Sequence, residues 1–188
     1  YLTLPREILG DEAIDTGPEP RNRPLGTIAP MPSLDAIAEV ARLIAQAERP
    51  LIIGGSADSF LALADLADAH AIACAPGMSS YMPSNHAMNM GSAGAELMAW
   101  ADLIIVLESA VPWIPRFTGP KPGTKLIHIG IDPHFANYPY RGFEMDMVVA
   151  GALVHAVPML NEALKSELRD RAILIDRRRA DLSERHRT

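Results

Sequence analysis

The sequence predicts an α/β fold with a doubly wound parallel sheet of five or six strands and helices on both faces. Short apolar runs without polar alternation, of which 102–107 is the clearest, are typical of strands buried on both faces of a parallel sheet. These runs alternate with segments in which apolar residues recur at helical spacing. Strands and helices that alternate over short connections favour a Rossmann-like arrangement.

The composition fits one domain and argues against two classes of partner. The 188 residues are 48% hydrophobic and 21% charged, which is enough apolar material for a core. The net charge of -6 argues against nucleic acid, because phosphate binding needs a concentrated basic face. We also expect no membrane partner, since the sequence has no run of about 18 apolar residues.

The single cysteine indicates a reducing compartment. Cys74 has no second cysteine with which to form an internal disulfide, so we expect a cytoplasmic protein. It lies in an apolar run and is interpreted as a buried thiol rather than a nucleophile. The chain begins at Tyr1 rather than Met, which we interpret as a cut through a longer protein.

Three segments are predicted along the chain. Residues 1–33 are interpreted as the end of a preceding domain and an extended linker, because 10–33 is polar and rich in proline. Residues 34–165 form the predicted α/β domain. Residues 166–188 alternate in charge and are predicted to be a charged helical tail or linker. The three arginines at 177–179 are interpreted as a solvated face of that tail.

The periodicity also predicts the order of the elements. Helices are expected over 34–47, 60–70, 95–100 and 153–164. Strands are expected over 50–55, 72–75, 102–107, 125–131 and 146–149. Pro158 lies inside the last helix and is expected to shift its start or to kink it, because proline lacks an N–H donor.

Ligands of such folds bind at the carboxyl ends of the strands. Gly54, Gly55 and Ser56 stand between a strand and a helix, where free N–H groups and the helix dipole could hold a phosphate. The full G-x-G-x-x-G pattern is absent, and a tight turn that needs glycine explains the residues equally well. Asp132 could accept a hydrogen bond from a ribose hydroxyl, or it could cap a turn before Pro133.

No catalytic or metal-binding constellation is predicted. His70, His86 and His128 lack cysteine or carboxylate partners at ligand spacing, so each is interpreted as structural. A long proline-rich loop follows the strand at 102–107 and contains Trp113, which could cover a nucleotide or pack at a subunit contact. The residues alone therefore indicate a parallel α/β domain with a candidate nucleotide site and select no reaction.

Five segments resemble, in the right order, sequence patterns of thiamine-diphosphate-dependent enzymes of the acetolactate synthase and 2-oxo acid decarboxylase type. The first is similar to the exit of their pyrimidine-binding domain, and the other four are similar to strands and a loop of their central domain. The segments are YLTLPREIL at 1–9, RPLIIGG at 49–55, PSNHAMNMG at 83–91, ADLIIVL at 101–107 and KLIHIGIDP at 125–133.

The resemblance implies a central domain without its catalytic neighbours. In that family the first domain supplies the glutamate that activates the cofactor, and the third supplies a Gly-Asp-Gly…Asn motif that holds magnesium and diphosphate. Neither motif occurs in this chain. The parent would use thiamine diphosphate and Mg²⁺ as a lyase or transferase of 2-oxo acids, whereas this fragment would bind neither and would catalyse nothing alone.

The resemblance also implies a candidate nucleotide site, because some members bind FAD or ADP in the central domain. The matching positions are Gly54, Gly55, Ser56, Gly91, Glu108, Ser109 and Asp132. The flavin-binding members carry a glycine and a nearby Arg-Phe-Asp after the third strand. Here Arg116 and Phe117 come several residues late without the aspartate, and Glu108 would place a negative charge near a diphosphate. These departures argue against FAD and weaken the case for ADP.

Three functions remain as hypotheses. The first is a structural central domain whose partners are the missing pyrimidine-binding and diphosphate-binding domains of the same chain, in a homo-oligomer. The second is a regulatory module that binds ADP or FAD. The third is an NAD-dependent deacetylase of the sirtuin kind, which the presence of only one cysteine disfavours because many members need paired zinc ligands.

Overall fold

A computed structural model describes residues 29–76, 81–136 and 143–185 of the chain. The predicted end of a preceding domain and most of the predicted linker, at 1–28, lie outside the described residues. Among the helices of the described ranges, none is both long enough and apolar enough to cross a membrane.

Five parallel strands form one sheet, in the order β2-β1-β3-β4-β5. Leu51 pairs with Ala73 on one side and with Ile104 on the other, so β1 lies between its successor in the chain and β3. The direction of winding therefore reverses at β1, which confirms the predicted doubly wound parallel sheet. The strands are β1 (Pro50–Gly54), β2 (Ala73–Ala75), β3 (Leu103–Leu107), β4 (Lys125–Gly130) and β5 (Met147–Ala150).

Five α-helices accompany the sheet within the described ranges. They are α1 (Leu34–Gln46), α2 (Phe60–His70), α3 (Ala95–Trp100), α4 (Leu153–Glu167) and α5 (Ala172–Arg185), with a 3-10 turn at Ala57–Ser59 before α2. Ser33 caps α1 as a side-chain acceptor for the N–H of Ala36, at 3.5 Å. Helix α4 packs against both α1 and α2, so the three helices form one layer.

The element boundaries agree with the predicted ones to within a few residues, and the later start of one strand has a local cause. Strand β2 begins at Ala73 because Ala71 ends α2 in a left-handed conformation with φ of 51°. Pro158 leaves the start of α4 at Leu153 unchanged. Pro158 and Val154, one turn earlier, are both exposed, so water can replace the hydrogen bond that proline cannot donate.

The core is built on the two middle strands. Every residue of β3 and the first four residues of β1 are buried. Since successive side chains of a strand point to opposite faces, both faces of the sheet are covered at its centre. Further core residues lie in α3, near Met82, Met88 and Trp113, and at Leu182 of α5.

Helix α5 is attached to the domain by its arginines. Arg178 is buried and donates to the carbonyl oxygens of Ile44 at 2.7 Å, Ala47 at 2.5 Å and His70 at 3.3 Å. These carbonyls lie at the carboxyl ends of α1 and α2, where backbone acceptors lack helical partners and a cation is favoured. Burial lowers the pKa of Arg178 to about 10, so it stays protonated at pH 7.

The prediction of a solvated arginine face is therefore wrong for Arg178. It is confirmed for Arg177, whose ion pair with Glu48 leaves both side chains 66% exposed. Arg179 is partly exposed and bonds to the Asp68 carboxylate at 2.9 Å and to its backbone oxygen. The error arose because the three arginines are alike in sequence, and the folded chain brings only one of them over the ends of two helices.

We expect Arg178→Met to lower the free energy of unfolding by about 3 kcal/mol, because it leaves three acceptors at the ends of α1 and α2 without their donor. Arg177→Met is the matched control and should change it by less than about 0.5 kcal/mol, as for other exposed ion pairs. Urea denaturation followed by circular dichroism measures both. Equal losses in the two variants would contradict the burial of Arg178.

The buried thiol should also be unreactive. Cys74 is 1% exposed in β2, and burial raises the pKa of its thiol. We expect a disulfide reagent at pH 8 to modify the native chain at least about a hundredfold more slowly than the chain in urea, since the thiolate is the reactive form. Complete reaction of the native chain within the mixing time would contradict this placement.

Candidate functional site

A cleft of about 560 Å³ opens at the carboxyl ends of β1, β2 and β3. It lies beside the point at which the winding of the sheet reverses, where open α/β sheets bind their ligands. Its volume falls in the range of small-molecule sites. The walls are mainly apolar and are formed by Ile53, Gly54, Ala75, Pro76, Tyr81, Ser92, Ala93, Leu107, Glu108, Ser109, Ala110, Val111, Pro112, Trp113, Ile114, Phe117 and Thr118.

Glycine is needed at the end of β1 for close packing. Gly54 has φ of 88°, and a Cβ on it would lie 2.3 Å from the backbone oxygen of Leu107. Gly55 has φ of 145°, and a Cβ on it would lie 2.8 Å from the Cβ of Tyr81. Both glycines therefore allow the turn after β1 to pass against its neighbours, which is the tight-turn interpretation of these residues.

Three backbone donors around this turn are already bonded within the chain. Gly55 donates to Leu107 O at 3.1 Å, and Ser56 donates to Ser59 Oγ at 3.3 Å. Glu108 donates to Ile129 O at 3.1 Å. A phosphate cradle depends on N–H groups that have no internal acceptor. These donors would have to leave their acceptors to bind one.

Glu108 is the one side chain with a formal charge at neutral pH among the residues that line the cleft. Its backbone takes the left-handed conformation, with φ of 48°, directly after β3. The carboxylate accepts a hydrogen bond from the N–H of Ile131 at 2.8 Å, which ties the end of β3 to the end of β4. The side chain of Glu108 is half-buried at the carboxyl end of β3.

The remaining candidate positions lie outside the lining of the cleft. Asp132 is exposed, and its carboxylate accepts from the N–H of Ala136 at 2.9 Å, as in the turn-capping interpretation. Gly91 has φ of 72° and donates to Asn89 Oδ1 at 2.9 Å. The structure thus brings Gly54, Glu108 and Ser109 together at the cleft and leaves Gly55, Ser56, Gly91 and Asp132 outside its lining.

The proline-rich loop after β3 forms one wall of the cleft. Trp113 is 8% exposed and meets Phe143 edge to face, with ring centroids 5.2 Å apart. The neighbouring Val111, Ile114 and Phe117 are 63%, 55% and 71% exposed. The sequence singled out Trp113 but missed Tyr81 and Phe117. Their aromatic side chains, in loops that follow predicted strands, were the available signal.

The histidines have structural contacts. His86 Nδ1 accepts from the N–H of Met88 at 3.2 Å, and His128 is buried and stacks on Phe135 with centroids 5.5 Å apart. His70 Nε2 lies 2.9 Å from Asn161 Oδ1, and burial lowers its pKa. Within the described ranges, no group of three or more His, Cys, Asp or Glu residues could hold a metal ion.

The family with the description "Thiamine pyrophosphate enzyme, central domain" has a model that matches residues 37–160. The chain belongs to this family. The matched range runs from α1 into α4 and includes the whole sheet and the cleft. A comparison with curated protein sequences found no relative.

Two solved structures share the fold of this central domain. A protein of Mycobacterium smegmatis, assigned as a thiamin diphosphate-dependent enzyme, superposes with a TM-score of 0.58 at 21% identity, over 72% of this chain and 28% of that one. Benzoylformate decarboxylase from Polynucleobacter necessarius gives a TM-score of 0.55 at 19% identity, over 82% and 31%. The chain therefore spans less than a third of the length of either protein.

The FAD or ADP that the family resemblance implies fits this central domain poorly. No lysine or arginine is among the residues that line the cleft, and Glu108 supplies a carboxylate there. In the turn after β1, the N–H groups of Gly55 and Ser56 are already bonded. The space beside the glycines is filled by Leu107 and Tyr81. A diphosphate would therefore meet the negative charge of Glu108 and no cation in the lining, and the N–H groups of Gly55, Ser56 and Glu108 are already bonded.

We expect Gly54→Ala to lower the free energy of unfolding by about 3 kcal/mol, since it combines an unfavourable φ with a clash against Leu107 O. Gly123→Ala is the matched control, because Gly123 has φ of 87° and open space around it. It should lower the free energy of unfolding by about 1 kcal/mol. Denaturation in urea measures the difference, and equal losses would mean that the close contact is absent.

Proposed function

We propose that this chain is the central structural domain of a thiamine-diphosphate- and magnesium-dependent carboligase or decarboxylase that acts on 2-oxo acids. The family match over 37–160 is the observation that carries the proposal. The five ordered sequence resemblances support an acetolactate-synthase-like parent. One of the two structural neighbours is a decarboxylase, which fits the same reaction class.

The domain acts as a scaffold and does no chemistry by itself. Its partners are a pyrimidine-binding domain and a diphosphate-binding domain of the same polypeptide, which together hold the cofactor and the metal ion. The length of the neighbours supports this arrangement, because the chain covers 28% and 31% of them. The chemistry of the parent is assigned to the cofactor, and no residue of this chain is assigned to hold it.

The domain itself is assigned to 34–165, with 1–33 leading into it and 166–188 leading out of it. The segment 166–188 contains α5, which packs against the domain through Arg178 and the buried Leu182 before the chain continues. A homo-oligomer in the cytoplasm completes the proposal. Cys74, reduced and buried, is consistent with that compartment.

The alternative function is a nucleotide-binding regulatory module. The position of the cleft at the reversal of the sheet favours it. The bonded backbone donors and Glu108 weigh against it, so we rank it second.

Calorimetric titration with thiamine diphosphate and Mg²⁺ tests the proposal. We expect no binding to the chain alone and no consumption of pyruvate or benzoylformate. The full polypeptide that contains this chain should consume a 2-oxo acid, and only when both thiamine diphosphate and Mg²⁺ are supplied. Saturable binding of the cofactor to the chain alone would overturn the assignment of the cofactor to the other domains. Cofactor-independent activity of the full polypeptide would overturn the reaction class.

A further inference from the structure

The cleft at the carboxyl ends of β1 to β3 has an unusual balance of charge and apolar surface. Three aromatic side chains line it, from Tyr81, Trp113 and Phe117, together with aliphatic residues of the loop after β3. Glu108 contributes the one formal charge of the lining. The cleft therefore offers a planar apolar ligand a good contact surface, and an anion would meet the neutral hydroxyls of Ser92, Ser109 and Thr118 but no cationic side chain in the lining.

Glu108 has no basic partner among the residues that the structure describes. The ion pairs found there join other residues, and the one hydrogen bond to the carboxylate comes from a neutral donor, the N–H of Ile131. Arg116 is nearby in sequence, but it is exposed and its guanidinium lies 5.7 Å from the ring centroid of Phe117. A half-buried carboxylate without a cation favours a ligand that brings one.

Aromatic rings add to this preference. The faces of tryptophan, tyrosine and phenylalanine attract cations, most strongly where water is partly excluded. Phe117 is 71% exposed at the wall of the cleft, so part of its ring is available for contact with a ligand. A ligand with an ammonium group on a flat apolar body would contact both the Glu108 carboxylate and the aromatic rings of the cleft.

We propose that this cleft binds a small organic cation with a planar apolar body and discriminates against nucleoside diphosphates. The proposal goes beyond the scaffold function and does not depend on it. It assigns to the central domain a ligand of opposite charge to the FAD or ADP that the family resemblance implies. Glu108 sets the charge preference, and the aromatic wall holds the body of the ligand.

Calorimetry with four probes tests the preference: tryptamine as the cation, 3-ethylindole as its neutral counterpart, indole-3-propionate as an anion, and ADP. We expect tryptamine to bind at least about tenfold more tightly than 3-ethylindole, and the two anions to bind more weakly than either. Tryptamine binding should weaken as salt is raised, while 3-ethylindole binding should change little.

Three variants test whether the preference for tryptamine arises in the cleft. Glu108→Gln keeps an oxygen for the N–H of Ile131, so the fold should be retained, and thermal melting checks this. It should remove the tenfold advantage of tryptamine. Glu167→Gln makes the same charge change at the exposed end of α4 and should leave the advantage intact. Phe117→Ala should weaken the binding of both tryptamine and 3-ethylindole, and that of tryptamine by the larger factor, because the ring also attracts the cation.

Several results would overturn the proposal. These are ADP binding as tight as tryptamine binding, equal affinities of tryptamine and 3-ethylindole, no binding of tryptamine at millimolar concentration, and an unchanged advantage in Glu108→Gln. None of them bears on the scaffold function, which is tested with thiamine diphosphate and 2-oxo acids. The two proposals can therefore fail separately.

Discussion

The constraint on which the structure depends is that the middle strands of a parallel sheet must be buried on both faces. β1 and β3 are buried along their length and leave no polar face for water. Helices α1, α2 and α4 form one covering layer, and α3 with the loops around Met82 and Trp113 supplies further core residues. The carboxyl edge of the sheet remains open, and the cleft forms there because strands end where helices do not cover them.

The carboxyl ends of α1 and α2 also need hydrogen-bond donors. When α1 and α2 end close together, their last carbonyls are buried and need donors. Arg178 supplies donors to both helices, and Arg171 adds a bond of 3.2 Å to Ala45 O. At the other edge of α5, Trp100 donates to Asp181 at 3.0 Å. Helix α5 therefore packs against the domain, although its sequence is highly charged.

Local patterns were enough to predict the parallel sheet, its helices and a ligand site at the carboxyl ends of the strands, because hydrophobic periodicity is a property of short stretches of sequence. The order of the strands came only from the structure. Long-range contacts were not predictable in this way. Arg178 meets Ile44 across 134 residues of sequence, and nothing near either residue indicates the other. The carboxylate of Asp102 accepts from Glu48 and Arg49 at 2.8 and 2.9 Å, a role that its place before a strand does not reveal. For the site, the glycines were recognised, but whether their N–H groups were free depended on partners such as Leu107.

Together these features describe a domain whose stability comes from one sheet and from the contacts of α5. Native-state hydrogen exchange followed by mass spectrometry tests this most directly. We expect the amides of α5 near Arg178 and Leu182 to exchange with the same free energy as those of β3, through unfolding of the whole domain. Exchange of α5 at the rate of an unstructured peptide, while β3 stays protected, would show that the contacts of Arg178 do not hold α5 against the domain.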